Sequence, residues 1–150
     1  MEMTGEIKLA ATRADVWARL VDPATLKASI PGCEELDMVS PTEMVASVTT
    51  KIGPIKARFK GRVLLSDLDP PNGYKLSGEG QGGVAGFASG EAVVRLEELS
   101  PTETLMRYEA KARVGGKLAQ LGSRLIDSTA KKLAAEFFDN FAKAVEGRVT

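Results

Sequence analysis

The sequence predicts an α+β fold in which a curved, seven-stranded antiparallel sheet wraps around a long C-terminal helix, with two short helices after the first strand. Three observations carry this reading. Residues 34–114 alternate in hydrophobicity at period two between regularly spaced turn signals. After Gly115-Gly116 the apolar spacing becomes helical and stays so almost to the end. Between the first strand and the others lie two short segments with helix-start chemistry. The chain has 150 residues and no linker, internal repeat or low-complexity stretch, so it reads as one domain, 1–150, able to bury a core without staples.

Residues 3–11 form the first predicted strand. Thr12-Arg13-Ala14-Asp15 then offers a capping-box pattern, and Val16, Trp17, Leu20 and Val21 recur at helical spacing behind it. Asp22-Pro23 restarts the chain as a second short helix, with aspartate as N-cap and proline at its first position, and Pro31-Gly32 ends it. Turn signals at Ser40-Pro41, Gly53-Pro54, Asp69-Pro70-Pro71-Asn72-Gly73, Gly82-Gly83 and Ser100-Pro101 divide the next stretch into six strands. Leu118, Leu121, Leu125, Ile126, Ala130, Leu133, Phe137, Phe138, Phe141 and Val145 form one stripe of the last helix, predicted to run about 30 residues and about 45 Å.

Charge and composition exclude several classes of function. Lys plus Arg and Asp plus Glu balance at 20 each, so no global field steers the chain toward nucleic acid or an anionic membrane, and any attraction to a membrane or partner must be local. There is no histidine, which removes Ser-His-Asp and Cys-His catalysis and imidazole-based zinc sites. No catalytic or metal-ligating set is predicted. One cysteine, Cys33, precludes an internal disulfide framework, and its Pro-Gly-Cys context reads as a turn entering a strand. The first residues show neither a basic n-region nor an apolar h-region, and no window approaches about 18 uninterrupted apolar residues. A cytoplasmic protein is expected.

Gly78-Glu79-Gly80-Gln81-Gly82-Gly83 matches G-x-G-x-x-G, but that motif cradles phosphate only between a strand and a helix, and residues 85–99 alternate as a strand. The glycines suit either a tight hairpin or a side-chain-poor loop at a cavity mouth. The carboxylate pairs Glu34-Glu35, Asp67-Asp69 and Glu97-Glu98 fall at turns or outward positions, where no apolar burial is evident and a solvated surface is the default reading. Lys56, Arg58, Lys60 and Arg62 fall on the outward face of one strand, either as a solvated face partly neutralised by partners such as Glu79 or as a surface for an acidic partner or anionic lipid.

The inward face is the unusual one. Period two places Tyr74, Leu76, Gly78 and Gly80 on it, then Ala88, Gly90, Ala92, Val94 and Leu96, then Met106, Tyr108, Ala110, Ala112 and Val114. Because interiors are close-packed, the volume these small residues omit must be filled by a closely approaching helix or by a ligand. Bulk on the helix is uneven: Phe137, Phe138 and Phe141 crowd its C-terminal half, whereas Ala119, Gly122 and Ser123 lie near its start. This favours an apolar cavity at the glycine-rich end. Phe59, Val63, Leu76, Gly78, Gly90, Ala92, Tyr108 and Ala110 are expected to line it, closed by Leu118, Leu121, Gly122 and Leu125. Gly80, Gly82, Gly83 and Gly86, facing Gly115 and Gly116, are expected to form its gate.

Four segments carry a family resemblance: Ile30-Pro31-Gly32-Cys33-Glu34-Glu35-Leu36, Ile52-Gly53-Pro54-Ile55-Lys56-Ala57-Arg58-Phe59-Lys60-Gly61, Gly78-Glu79-Gly80-Gln81-Gly82-Gly83, and Gly116-Lys117-Leu118-Ala119-Gln120-Leu121-Gly122-Ser123-Arg124-Leu125-Ile126. Together they resemble the CoxG family of carbon monoxide dehydrogenase proteins, nearly end to end. The resemblance implies the helix-grip fold of the START-like, or SRPBCC, superfamily, with a hydrophobic cavity between sheet and terminal helix. It further implies a non-enzymatic accessory protein of the aerobic molybdenum-containing carbon monoxide dehydrogenase and related molybdenum hydroxylases, linking the enzyme to the membrane by carrying quinone. The partners so implied are a quinone or lipid, the molybdenum hydroxylase itself, and the cytoplasmic face of the inner membrane as a peripheral contact, but no nucleic acid. No covalently bound cofactor is expected, and isoprenoid quinone is the implied cargo. Family members often continue into a flexible tail, whereas this sequence stops at Thr150, a departure from the family pattern that puts a tail-borne function in doubt. Two rival readings remain: an assembly or recruitment adaptor with an incidental cavity, and a START-like cyclase or hydratase using Tyr74 or Tyr108 as acid.

Overall fold

Short turns join the period-two segments, so strands adjacent in sequence become neighbours in space. The computed structural model describes residues 1–147; the end of the chain at Thr150 lies outside the described residues. Its strands are β1 (Glu2–Leu9), β2 (Cys33–Ser40), β3 (Glu43–Ile52), β4 (Ile55–Asp69), β5 (Gly73–Gln81), β6 (Phe87–Ser100) and β7 (Glu103–Gly115). They form one sheet in the order β1-β7-β6-β5-β4-β3-β2, with every pair antiparallel. The predicted sheet is therefore present, and the turn at Cys33 does open a strand.

An antiparallel meander sends alternate hairpins to opposite ends. The β2–β3, β4–β5 and β6–β7 turns share one end, and the β3–β4 and β5–β6 turns share the other with the exit of β7. The second end holds Gly53, Gly82, Gly83, Gly86, Gly115 and Gly116 and is called the glycine end below.

Two short helices follow β1, as their caps predict. In α1 (Arg13–Leu20) the Thr12 hydroxyl accepts from the Asp15 amide at 3.1 Å. In α2 (Pro23–Ser29) the Asp22 carboxylate accepts from the Thr25 amide at 3.2 Å and from its hydroxyl at 2.6 Å. That hydroxyl is the main reason the Asp22 carboxyl is held below its ordinary pKa, ahead of the opposing effect of burial.

The last helix is shorter than its periodicity predicts. Residues Gly116–Leu121 form a 3-10 helix, Gly122 adopts a φ of 90°, and α3 proper runs Ser123–Glu146. Its 24 residues span about 36 Å. Leu118 and Leu121 thus stand on a separate tight turn, where a spacing of three satisfies a 3-10 helix as well as an α-helix.

The core is built at the end opposite the glycines. Leu9, Val16, Leu20, Leu26, Tyr74, Leu96, Met106 and Phe141 are buried together there. Burial of each large apolar side chain contributes about 1.5–3 kcal/mol. Within α3 only Phe141 and Ala142 are buried, both in its C-terminal half. Glu146 fixes that half by accepting from the Ala10 amide at 2.8 Å.

Candidate functional site

The sheet register aligns the small residues into bands. Ala46, Gly61, Gly80 and Ala88 stand opposite one another on β3 to β6, ending at Val114 on β7. The next inward row is Met44, Val63, Gly78, Gly90 and Ala112, and the one after it Leu65, Leu76, Ala92 and Ala110. Side-chain height therefore falls toward the glycine end, where α3 has no buried residue. The result is open volume between sheet and helix.

Two apolar cavities occupy it. The first, about 300 Å³, is walled by Ala46, Val48, Ile52, Phe59, Val63, Gly78, Gly80, Ala88 and Gly90, with Leu133 of α3 opposite. The second, about 210 Å³, is walled by Met3, Leu20, Ile30, Tyr74, Leu76, Ala92, Tyr108 and Ala110, under Ala134, Phe137 and Phe138. Leu133 and Ala134 are consecutive, so one turn of α3 overlies both.

Eight of the predicted lining residues divide between these spaces. Phe59, Val63, Gly78 and Gly90 line the first, and Leu76, Ala92, Tyr108 and Ala110 the second. The predicted lid does not sit over either one. Leu118 is fully buried in the 3-10 helix, Leu125 packs toward Gly53 of the β3–β4 turn, and Leu121 and Gly122 also lie outside both linings. The break at Gly122 moves these residues out to the glycine end and leaves residues 133–138 as the wall.

Sequence patterning missed several walls. Met3, Leu20 and Ile30 come from β1, α1 and the end of α2, which nothing local in the sequence ties to the cavity. Gly5 of β1 shapes the site without lining either cavity: a Cβ there would collide with the Tyr108 ring, so its absence lets Tyr108 lie across β1. Tyr108 stacks on Phe138 with ring centroids 4.2 Å apart. Tyr74 is held differently. Its hydroxyl donates to the Leu20 carbonyl at 3.0 Å, its ring meets Trp17 edge-on at 5.7 Å, and burial pushes its phenol far above the ordinary pKa.

The predicted gate glycines converge at one end but in two roles. Gly80 lines the first cavity, and a Cβ on Gly82 would lie 2.8 Å from the Phe59 ring. Gly83 opens a 3-10 turn, Gly83–Ala85, and faces open space. Gly86, by contrast, meets the backbone of Gly115 and Gly116 so closely that a Cβ on Gly116 would lie 2.7 Å from the Gly86 Cα. These last three form a backbone clasp between the β5–β6 turn and the exit of β7.

On the outward face, the basic stripe is half neutralised. Arg62 pairs with Glu79 at 3.2 Å, and Arg58 with Glu34 at 3.4 Å and Glu35 at 4.0 Å, whereas Lys56 and Lys60 make no ion pair among the described residues. Cys33 is half-buried, its thiol donates to the Glu35 carbonyl at 3.3 Å, and burial raises its pKa. Among the described residues, no helix is long and apolar enough to cross a membrane.

Comparison with known proteins follows the same outline. The profile of the carbon monoxide dehydrogenase CoxG family matches residues 5–146. No match is found among curated protein sequences. Among solved structures, a conserved protein from Geobacillus kaustophilus is 32% identical over 97% of this chain and 95% of its own, with a TM-score of 0.89. The Zhui aromatase/cyclase from Streptomyces sp. R1128 is 15% identical over 100% of this chain and 96% of its own, with a TM-score of 0.67. A START superfamily protein from Mycobacterium smegmatis is 19% identical over 99% and 96%, with a TM-score of 0.65. The last two establish a shared START-like fold.

Proposed function

The chain belongs to the CoxG family of carbon monoxide dehydrogenase proteins, and from that premise we propose that it carries an isoprenoid quinone or similar apolar lipid between its sheet and α3. The carrier serves a molybdenum hydroxylase of the carbon monoxide dehydrogenase type by connecting it to the membrane quinone pool. One observation supports this most: the side-chain-poor bands of Gly61, Gly78, Gly80 and Gly90 leave an apolar volume of about 300 Å³ beside a second of about 210 Å³. The first lies at the lower bound of ordinary ligand pockets, about 300–1,000 Å³. Each methylene buried there contributes about 0.8 kcal/mol, so a prenyl chain gains by leaving water.

Redox chemistry is assigned to the partner. Tyr74, one of two tyrosines available as an acid, has its hydroxyl committed to the Leu20 carbonyl, and its raised pKa makes it a poor proton donor. The likeness to an aromatase/cyclase is one of fold and brings no catalytic residue with it.

Trp17 provides the test. It is the single tryptophan and touches Tyr74, a wall of the second cavity. Titration with a short-chain menaquinone is expected to quench its emission saturably at one ligand per chain, and Ala110→Phe is expected to abolish the saturable component. Quenching that rises linearly and equally in both proteins would contradict the carrier reading.

A further inference from the structure

A protein of zero formal net charge can still be strongly polarised, and this one is. No acid occurs between Glu43 and Asp67, a stretch holding Lys51, Lys56, Arg58, Lys60 and Arg62. None occurs between Glu109 and Asp127, which holds Lys111, Arg113, Lys117 and Arg124. The β5–β6 turn, between Glu79 and Glu91, has no charge of either sign. The topology brings all three stretches to the glycine end. Glu2, Glu34 and Glu35 also lie toward that end but are outnumbered by its cations. The opposite hairpins carry Asp67, Asp69, Glu97, Glu98 and Glu103 with Lys8, Arg95 and Arg107 paired among them, so the excess of cations is at the glycine end.

An apolar tip stands at the centre of that cationic end. Val84, in the 3-10 turn of the β5–β6 connection, is 88% exposed, and Phe87, which opens β6 just after it, is 42% exposed. Three cations surround that turn: Lys60 lies opposite Gln81, Arg113 opposite Ser89, and Lys117 follows the Gly116 that meets Gly86. None of the three forms an ion pair among the described residues, and the acids Glu35, Glu79 and Glu91 beside Lys60 and Arg113 pair instead with Arg58, Arg62 and Lys75. Directly behind the tip, Gly80 and Ala88 form the lip of the first cavity.

We propose that the glycine end docks on a bilayer containing anionic lipids, with Val84 and Phe87 entering the interface and Lys60, Arg113 and Lys117 against the headgroup phosphates. Apolar side chains ringed by lysine and arginine suit that boundary, where the rings and aliphatic groups leave water while the cations remain solvated. An acidic protein surface would match the cations but leave the 88% exposed Val84 without a counterpart. The docking assigns an orientation to the carrier reading and rests on it for its purpose: the mouth of the first cavity faces the acyl layer.

Flotation of the full chain with vesicles of phosphatidylglycerol in phosphatidylcholine, against phosphatidylcholine alone, tests the proposal. Binding is expected only to the anionic vesicles and is expected to fall as salt rises from about 50 to about 500 mM, roughly a threefold change in screening length. Lys117→Ala is expected to weaken it about fivefold, and Val84→Asp to abolish it with an unchanged far-ultraviolet spectrum. Val84→Trp is expected to show a blue-shifted emission with anionic vesicles and not without them. No binding to the anionic vesicles, or equal binding by Val84→Asp, would overturn the proposal. So would a Val84→Asp variant that loses only association with the hydroxylase, which would make the tip a protein-docking surface. Quinone quenching of Trp17 in detergent is read in parallel: if it fails while flotation behaves as expected, the carrier reading falls and the docking face stands.

Discussion

Tyr108 of β7 and Phe138 of α3 stack with ring centroids 4.2 Å apart and planes inclined by 19°, and the pair fixes how far the helix stands from the sheet. The stack depends on Gly5, because the Tyr108 ring occupies the place of its missing side chain. Replacing Gly5 by alanine is expected to displace Tyr108 and cost about 1–3 kcal/mol, as overpacking does elsewhere. Thr4→Ala, at an exposed neighbouring position, is expected to stay within about 0.5 kcal/mol of the wild type. Urea denaturation of both variants checks this.

Gly78 and Gly90 face each other on β5 and β6 and both line the first cavity, yet they differ in room. A Cβ on Gly78 would have its nearest neighbour, the Arg62 carbonyl oxygen, at 3.8 Å, an ordinary contact. One on Gly90 would lie 3.0 Å from the Lys111 carbonyl oxygen, too close without a shift of β7. Gly78→Leu is therefore expected to fill the cavity, reduce ligand uptake at least tenfold and leave the thermal midpoint unchanged or higher, since glycine in a strand costs roughly 0.5–1 kcal/mol. Gly90→Leu is expected to lose stability as well. Calorimetry beside ligand titration separates the two.

Much of this site is legible in the sequence because period two fixes which strand residues share a face. Phe59, Val63, Leu76, Gly78, Gly90, Ala92, Tyr108 and Ala110 all fall on the inward wall for that reason. The helical side is less legible. Leu118, Leu121 and Leu125 continue the apolar stripe without interruption, so nothing in their spacing distinguishes a 3-10 turn from the first turn of α3. The discriminating signal is Gly122, whose positive φ of 90° ends one helix and starts another. Met3, Leu20 and Ile30 reach the cavity only through the pairing of β1 with β7 and the packing of the short helices, contacts remote in sequence.

Asp22 couples the α1–α2 corner to pH. Its carboxyl is held below the ordinary value chiefly by the Thr25 hydroxyl, so its contribution to stability is complete above the unfolded-state pKa and is lost as pH falls through the folded-state one. Asp22→Ala is expected to cost about 1 kcal/mol at neutral pH, the usual worth of an N-cap. The difference from wild type is expected to shrink as the solution is acidified through the carboxylate range. Urea midpoints of the two proteins across that range measure it.

The most direct test of the carrier account is the mass of what the protein holds. Native mass spectrometry of the full chain after incubation with quinone-loaded vesicles is expected to show a one-to-one adduct at the mass of the isoprenoid quinone, extractable into organic solvent. The adduct is expected to be missing from Gly78→Leu and Ala110→Phe. A bare-mass spectrum for the wild type, or an adduct equally abundant in both cavity-filling variants, would contradict the account.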